Sequence, residues 1–555
     1  MKTTIGAFLL KRLRQLGIRH VFGVPGDYNL QFLEQIKEAD GLEFIGTCNE
    51  LNAAYAADGY ARLNGAAAIL TTYGVGELSA ICGVAGAAAE HVPMVCITGA
   101  PPLRAMEQGW LLHHTLAEGN YDDMLNCYRQ FTVAQTRLTP LNAVTETDRV
   151  LIACQQEKRP VYIQLPSDVS YLTIDAPDEP LVIPSHSDPE RLEAALAHLL
   201  ELWSEARRPA LLIDMDADRF GLAGPLRQLV AKAQIPYASM TTAKGVLDET
   251  DPLWLGHYIG RSSPPRAKEA VETSDFLIAT APRFTEANSG HFSQSLPPAH
   301  TVQLGGRRTA IGGEFYEGVV ARDLVEAFTE RVGRVEAEAA PPRPQDGWIV
   351  EPSAALTQAR LWPRIARFIA PGDVVIAESG TSNIGLTPQV LPAGTTYITA
   401  NIWGSIGYTL PAVLGTALAD EKRRHLLFIG DGSFQLTVQE LSTILRLRLK
   451  PIIFLLNNRG YTIERFILGM KDAYNDVANW RYTELPGVFA PEGDFFVAQA
   501  GTEQELETVL QQAAASGKLS FIELHLDPFD APDTLKKFGP ATAEFDYGPR
   551  GPQRA

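Results

Sequence analysis

At 555 residues the chain is too long for one hydrophobic core, and the length predicts about three to four domains. A hydrophobic content of 45% and a charged content of 20% are those of a soluble globular protein. The formal net charge of −17, with no basic block, excludes a general nucleic-acid binder and carries no information on fold.

Residues 1–13 lack a long apolar segment with a small-residue cleavage site. No uninterrupted apolar run reaches the roughly 18 residues of a membrane span. A cytoplasmic protein with no membrane partner is expected. Five cysteines, Cys48, Cys82, Cys96, Cys127 and Cys154, fall in the first third without metal-type spacing. They read as reduced, mostly buried thiols.

In chain order, residues 1–175 alternate between helical and strand patterns. Residues 5–16 carry a helical apolar face. Residues 20–24 form a short strand, ended by Pro25-Gly26-Asp27-Tyr28. Strands at 42–46, 66–72 and 92–98 follow, with helices at 50–62 and 78–90 between them. This alternation predicts a parallel sheet covered on both faces. Residues 175–189, rich in proline and acid, read as a linker. A second α/β domain follows to about residue 330, with its clearest strands at 210–215 and 276–280. No G-x-G-x-x-G follows either strand, so nothing there supports nicotinamide binding. Residues 333–346 read as a second linker, and the third domain runs from about 350 to the end. No short repeats are evident. The expected fold class is α/β, with three parallel-sheet domains.

The most informative stretch is 426–466. The apolar run 426–429 reads as a buried strand. It stops at a glycine-rich turn, Gly430-Asp431-Gly432-Ser433. Leu436, Val438, Leu441, Ile444 and Leu445 then supply the apolar face of a helix. A second buried strand, 451–456, leads into Asn457-Asn458-Arg459-Gly460. Strand, turn, helix and strand make a right-handed parallel crossover. Both strands then end at one sheet edge, so Asp431 and Asn458 emerge side by side where open α/β sheets bind ligands. One carboxylate and one amide oxygen form a partial cage for Mg²⁺, with ligand phosphates filling other positions. Gly430 and Gly432 let the backbone approach a phosphate, and the helix start offers it free N–H groups. Alone, G-D-G more often marks a plain turn.

The spacing of G-D-G, then residues 433–456, then Asn-Asn resembles the diphosphate-binding motif of thiamine-diphosphate (ThDP) enzymes. Further stretches are G-V-P-G-D-Y-N-L at 23–30, C-N-E-L-N-A-A-Y-A-A-D-G-Y-A-R at 48–62 and Y-G-V-G-E-L-S at 73–79, with L-H-H-T at 112–115 and W-G-S-I-G at 403–407. Together they are similar to ThDP-dependent 2-oxo-acid decarboxylases of the pyruvate and indolepyruvate decarboxylase group. The resemblance covers nearly the whole chain and is weakest in the middle. It implies a pyruvate decarboxylase-like architecture. A pyrimidine-binding domain would occupy 1–180, a central domain 190–332, and a diphosphate- and Mg²⁺-binding domain 350–555. It implies ThDP and Mg²⁺ as cofactors, a small-molecule 2-oxo acid as substrate, and a homodimer or homotetramer with active sites at the subunit interface.

The resemblance also assigns residues. Glu50 would bond the aminopyrimidine ring and promote loss of the thiazolium carbon's proton. Its plain reading is a charge at a helix N-terminus. Ile406, otherwise a core isoleucine, would be a wedge that bends the cofactor, with the Gly404 carbonyl accepting from its amino group and Ser405 between them. Asp431, Asn458 and the Gly460 carbonyl would hold the metal. Thr381, Gly430, Gly432 and Ser433 would contact the cofactor, as would Tyr461, Thr462 and Ile463. Asp27, His113, His114 and Glu464 would surround the reacting carbon and relay a proton after CO₂ leaves. Each also has a dull account as a turn cap, loop or surface charge. Such neighbours titrate together, so no single transfer is assigned to one residue.

Substrate choice rests on departures from the family pattern. Ser379, Asn383 and Ile384 lie in a stretch expected to touch the substrate, where relatives commonly carry Ala-Phe in place of Asn383-Ile384. Pyruvate-specific relatives have phenylalanine where Ala287 stands. Ile463 and Ile467, in contrast, follow the small-substrate pattern. The expected substrate is larger than pyruvate: indolepyruvate, phenylpyruvate or a branched-chain 2-oxo acid. The alternatives are pyruvate itself, a carboligase of the acetolactate synthase type, and a non-catalytic protein of the same fold. His113 and His114 with Glu464 favour proton delivery, and so aldehyde release. No cysteine follows Cys154, so substrate activation through a middle-domain cysteine, which some relatives use, has no residue here.

Overall fold

The computed structural model describes residues 1–335 and 348–548. It contains three large sheets, each flanked by helices. The first runs, edge to edge, Glu43–Gly46, His20–Gly23, Ala67–Thr72, Met94–Ala100, Val161–Pro166, Gln135–Arg137, and every pairing is parallel. The third runs Thr396–Ile398, Val374–Ala377, His425–Gly430, Ile452–Asn457, Leu519–His525, Phe495–Ala500, again all parallel. Numbered within each domain, both sheets have the order 2-1-3-4-6-5. They are one topology used twice, which no sequence repeat announced.

The middle sheet differs. Trp254–His257, Tyr237–Ser239, Pro209–Ile213, Phe276–Ala279 and Thr301–Gly305 are parallel. Arg308–Ile311 and Glu314–Glu317 then add antiparallel strands at one edge. Only Gly306 and Arg307 separate Thr301–Gly305 from its partner, too few residues for a parallel crossover.

The first and third domains share one hydrophobic core. The contact is made by helices Glu50–Asn64 and Thr409–Ala419. Glycine allows it: a Cβ on Gly415 would sit 1.8 Å from the Ala56 carbonyl, and one on Gly59 would sit 2.3 Å from that of Ala412. The linker at 175–189 holds no helix or strand between Asp175 and Pro189, and Asp175 ends a short strand paired with Lys2–Thr4. Of the second linker, residues 336–346 lie outside the described residues.

Two expectations are corrected. Cys48, Cys82 and Cys127 are exposed on this chain, and only Cys96 and Cys154 are buried. The buried pair lies on a central strand and on the inner face of a helix, where a small apolar side chain packs well. The G-D-G-S turn is no turn: helix Asp431–Thr437 begins at Asp431 itself. The single helix expected after it is two, the second being Glu440–Arg446. The break leaves Leu436 half exposed rather than on a core face. No helix of the described residues is long and apolar enough to cross a membrane.

Candidate active site

In a 2-1-3 sheet the switch in winding direction lies between the first and third strands of the domain, and ligands bind outside their carboxyl ends. In the first domain these strands are His20–Gly23 and Ala67–Thr72, followed by Asp27 and by Tyr73-Gly74. In the third they are Val374–Ala377 and His425–Gly430, followed by Glu378 to Thr381 and by Asp431. The predicted residues therefore gather at two equivalent sheet edges.

At the first edge the chain packs tightly. A Cβ on Gly26 would meet Thr72 Cβ at 2.5 Å, and one on Gly74 would meet the His114 carbonyl at 2.0 Å. This brings Asp27, His113 and His114 together, with all their candidate ligand atoms within 4.8 Å of one another. Asp27 Oδ2 lies 2.9 Å from His113 Nε2, and His113 Nδ1 lies 3.3 Å from the Tyr28 hydroxyl. His113 stacks on Tyr28, and the two histidine rings are 4.5 Å apart. His114 has a left-handed backbone, φ 62°, and a buried Nδ1 with no partner among the described residues.

Glu50 is the first residue of its helix. Asn49 caps that helix by accepting from Asn52 N at 2.8 Å. The Glu50 carboxylate is half-buried, and its Oε1 lies 3.1 Å from where a Cβ on Gly76 would stand. Glu440 of the third domain grips this helix start, accepting from Cys48 N at 3.2 Å and Asn52 Nδ2 at 2.8 Å.

At the third-domain edge Asp431 is 1% exposed. Burial pushes its carboxyl up to about 6, against the pull of the Gly432, Arg459 and Gly460 amides. Its Oδ2 is buried without a partner among the described residues. The Asn458 amide donates to Asp431 Oδ1 at 3.1 Å and to the Gly460 carbonyl at 2.9 Å and accepts from Thr462 Oγ1 at 2.7 Å. A carboxylate, an amide and a backbone carbonyl thus meet at one place, and with the amide oxygen turned inward they are a donor set that fits a hard cation. Gly430 has open space where a Cβ would project. Gly432 does not: its Cβ would meet the Tyr461 ring at 2.5 Å, so that glycine is also required by packing.

Ser433 and Thr462 are buried, and Ile463 is half-buried on helix Thr462–Ile467 beside exposed Glu464. Thr381 is the first residue of helix Thr381–Leu386 and is buried. Ser379 Oγ donates to the Ala400 carbonyl at 2.9 Å. Ile406 is half-buried between Gly404 and Gly407, both with positive φ, and Ser405 Oγ contacts the Tyr55 hydroxyl. Among the described residues, no hydrogen bond or ion pair joins Asp27, Glu50, His113 or His114 to Asp431, Asn458, Gly460 or Glu464.

Three family models match, described as thiamine pyrophosphate enzyme N-terminal TPP binding domain at residues 3–120, central domain at 196–324 and C-terminal TPP binding domain at 380–524. Curated relatives named alpha-keto-acid decarboxylase are 39% identical over 96% of this chain. They include proteins from Mycobacterium leprae (strain TN), covered over 94% of its length, and Mycobacterium avium (strain 104), covered over 95%. The chain belongs to the ThDP-dependent 2-oxo-acid decarboxylase family. ThDP is the cofactor of that family.

The Asn383 amide is paired within the chain. Its Nδ2 donates to Asn401 Oδ1 at 2.6 Å, and its Oδ1 accepts from the Tyr397 hydroxyl at 2.8 Å. Four supporting residues escaped the sequence reading: Glu440, Glu90, Glu378 and Arg465. Glu90 accepts from Ile402 N at 2.8 Å, which holds the entry to the Trp403–Gly407 loop. Arg465 is buried and donates to the Arg459 carbonyl at 3.0 Å and to Asp476 at 2.6 Å, fixing the loop that carries Gly460. A basic residue next to an acid on a short helix gives no periodic signal, so nothing in the sequence marked it.

Proposed function

We propose that the chain decarboxylates a 2-oxo acid non-oxidatively to an aldehyde and CO₂, using ThDP and Mg²⁺, and that its preferred acid is larger than pyruvate. The observation that carries this reading is the Asp27–His113–His114 cluster at the first sheet edge. A carboxylate and two imidazoles within reach of one another are suited to delivering a proton where CO₂ has left, which releases an aldehyde. ThDP, when bound, supplies the electron sink for the carbon–carbon bond that breaks. The protein supplies the rest. Asp431, Asn458 and the Gly460 carbonyl hold Mg²⁺, and the free N–H groups at Asp431 to Ser433 take the diphosphate. Glu50 shares a proton with the aminopyrimidine ring. Ile406 and the Gly404 carbonyl fix the cofactor's shape, with Thr381, Ser405, Tyr461, Thr462 and Ile463 around it.

The site is completed between subunits. Glu50 and the histidine cluster of one chain act with Asp431 and Glu464 of a second, which makes a dimer the least active unit. That no hydrogen bond or ion pair joins the two groups among the described residues of one chain supports this. Residues 1–180 serve as the pyrimidine domain, 190–332 as the central domain and 350–555 as the diphosphate domain. Ala287, exposed in its loop, and half-buried Ile384 are small side chains that support room for a large substrate, while Ile463 and Ile467 set the opposite wall beside Ser379.

The test is CO₂ release from a panel of pyruvate, 3-methyl-2-oxobutanoate, phenylpyruvate and indolepyruvate, with ThDP and Mg²⁺ present. A larger acid should give the highest kcat/KM. A preference for pyruvate over all three would overturn the size argument, and no release from any would overturn the activity.

A further inference from the structure

Glu378 follows the strand Val374–Ala377 at the switch point of the third sheet and is 1% exposed. Its Oε2 accepts from Thr409 Oγ1 at 2.6 Å and from Gly407 N at 3.2 Å, and its Oε1 accepts from Ser379 N at 3.0 Å. Its own N–H donates to the Phe428 carbonyl at 2.9 Å, and its carbonyl accepts from Asn383 N at 3.2 Å. Burial pushes its carboxyl up, and only neutral donors pull it back. A buried acid supported this way is a costly choice for stability alone. Its chemical distinction is that two acceptor oxygens can meet three donors at once, whereas a glutamine would set its own N–H₂ against one of them.

The donors it gathers belong to two different segments. Ser379 opens the stretch leading to Thr381. Gly407 directly follows Ile406, and its φ of 83° is open to glycine and few other residues. The Gly407 carbonyl accepts from Thr437 Oγ1 at 2.7 Å, and Thr437 ends the helix that starts with Asp431. The peptide after Ile406 is thus held from both sides, by Glu378 and by the Asp431 helix.

We infer that Glu378 is a positioning residue for the decarboxylation: by gripping the Gly407 N–H it fixes the Gly404–Gly407 loop, and Ile406 with it, relative to the helix that begins at Asp431. The inference rests on the reading above that Ile406 shapes the bound cofactor. Without Glu378 the diphosphate end still binds, but the reactive geometry is no longer enforced, and small losses of positioning are expensive in rate.

The experiment compares wild type, Glu378→Gln and the milder Thr409→Val, which removes one donor and keeps the shape. Amide hydrogen exchange of peptides covering residues 400–410 is measured in cofactor-free protein. Glu378→Gln should speed exchange there by at least about tenfold, with Thr409→Val intermediate, while peptides of the middle sheet stay unchanged. With ThDP and Mg²⁺ added, kcat should fall by about a hundredfold or more in Glu378→Gln and the ThDP dissociation constant should rise by less than about fivefold. Unchanged exchange in either variant overturns the proposal, and so does an equal loss of kcat and ThDP affinity. If Glu378→Gln fails to fold, unchanged exchange in Thr409→Val alone overturns it. The exchange arm needs neither cofactor nor substrate. A wild type that releases no CO₂ overturns the catalytic half through the reading it rests on, and the exchange result shows which of the two failed.

Discussion

The Asn458 side-chain amide lies 2.9 Å from the Gly460 carbonyl oxygen and 3.1 Å from Asp431 Oδ1. These contacts are hydrogen bonds when the amide nitrogen faces them, and turning the amide oxygen inward would complete a set of three oxygen donors for Mg²⁺. Asp431→Ala should therefore lose Mg²⁺ and ThDP together in equilibrium dialysis. Tight retention of both by the variant would place the metal elsewhere.

Glu50→Gln should leave the fold intact and nearly abolish turnover. Glutamine keeps the size of the side chain but cannot share a proton with the pyrimidine ring. Exchange of the cofactor's thiazolium proton, followed by quenched-flow NMR, should slow by several orders of magnitude. Fallen turnover with unchanged exchange would give Glu50 another role.

Ala287→Phe should depress kcat/KM for the large acids and spare pyruvate. A buried methylene is worth about 0.8 kcal/mol, close to fourfold in rate if the gain reaches the transition state. Four carbons then correspond to roughly two orders of magnitude. Asn383 Nδ2 and Oδ1 are bonded to Asn401 and Tyr397, so Asn383→Ala should not discriminate indolepyruvate from phenylpyruvate. A selective loss of indolepyruvate in that variant would show that its amide reaches the substrate.

Glu77 predicts a stability profile with pH. Its buried carboxylate accepts from Gly74 N at 2.8 Å and from the Tyr162 hydroxyl, and burial raises its pKa from 4.5 to about 7. A raised value means the fold prefers the protonated acid. That preference is fully present below pH 4.5 and is lost as pH rises through 7. The loss is ~3 kcal/mol at most. Glu77→Gln does not titrate, so its Tm relative to wild type should rise between pH 5 and pH 8. A constant difference across that range would show that Glu77 is ionised throughout.

A mixture of Glu50→Gln and Asp431→Ala subunits should regain part of the activity that each lacks alone, because one hybrid site then has both intact halves. The closed two-fold pairing this needs is the commonest oligomer geometry. No recovery on co-expression, or a fully active monomer in sedimentation, would contradict a shared site.

Much of this was legible in the sequence because the signals are local. Apolar runs of the His425–Gly430 kind, followed by glycine and a helix period, locate strands and their ends to within a residue or two. Strand ends in turn place Asp431 and Asn458. What the sequence withheld was pairing across distance. The antiparallel edge of the middle sheet, the identical strand order of the outer sheets, and the grip of Glu440 on the Glu50 helix each depend on segments far apart in the chain. The pairing of Asn383 is a further case: its partners Asn401 and Tyr397 lie 18 and 14 residues away. Helix Asp431–Thr437 was misread for the opposite reason. Two glycines outweighed the helix-start chemistry of an aspartate, although Asp431 is well placed in a first turn.

The most direct test of the whole account is the product balance from the best acid of the panel, measured with ThDP and Mg²⁺ present and again after both are removed. The account predicts one CO₂ and one aldehyde for each acid consumed, and no turnover without the cofactors. CO₂ released with a carbon–carbon ligation product in place of aldehyde, or turnover that survives removal of ThDP, would contradict it.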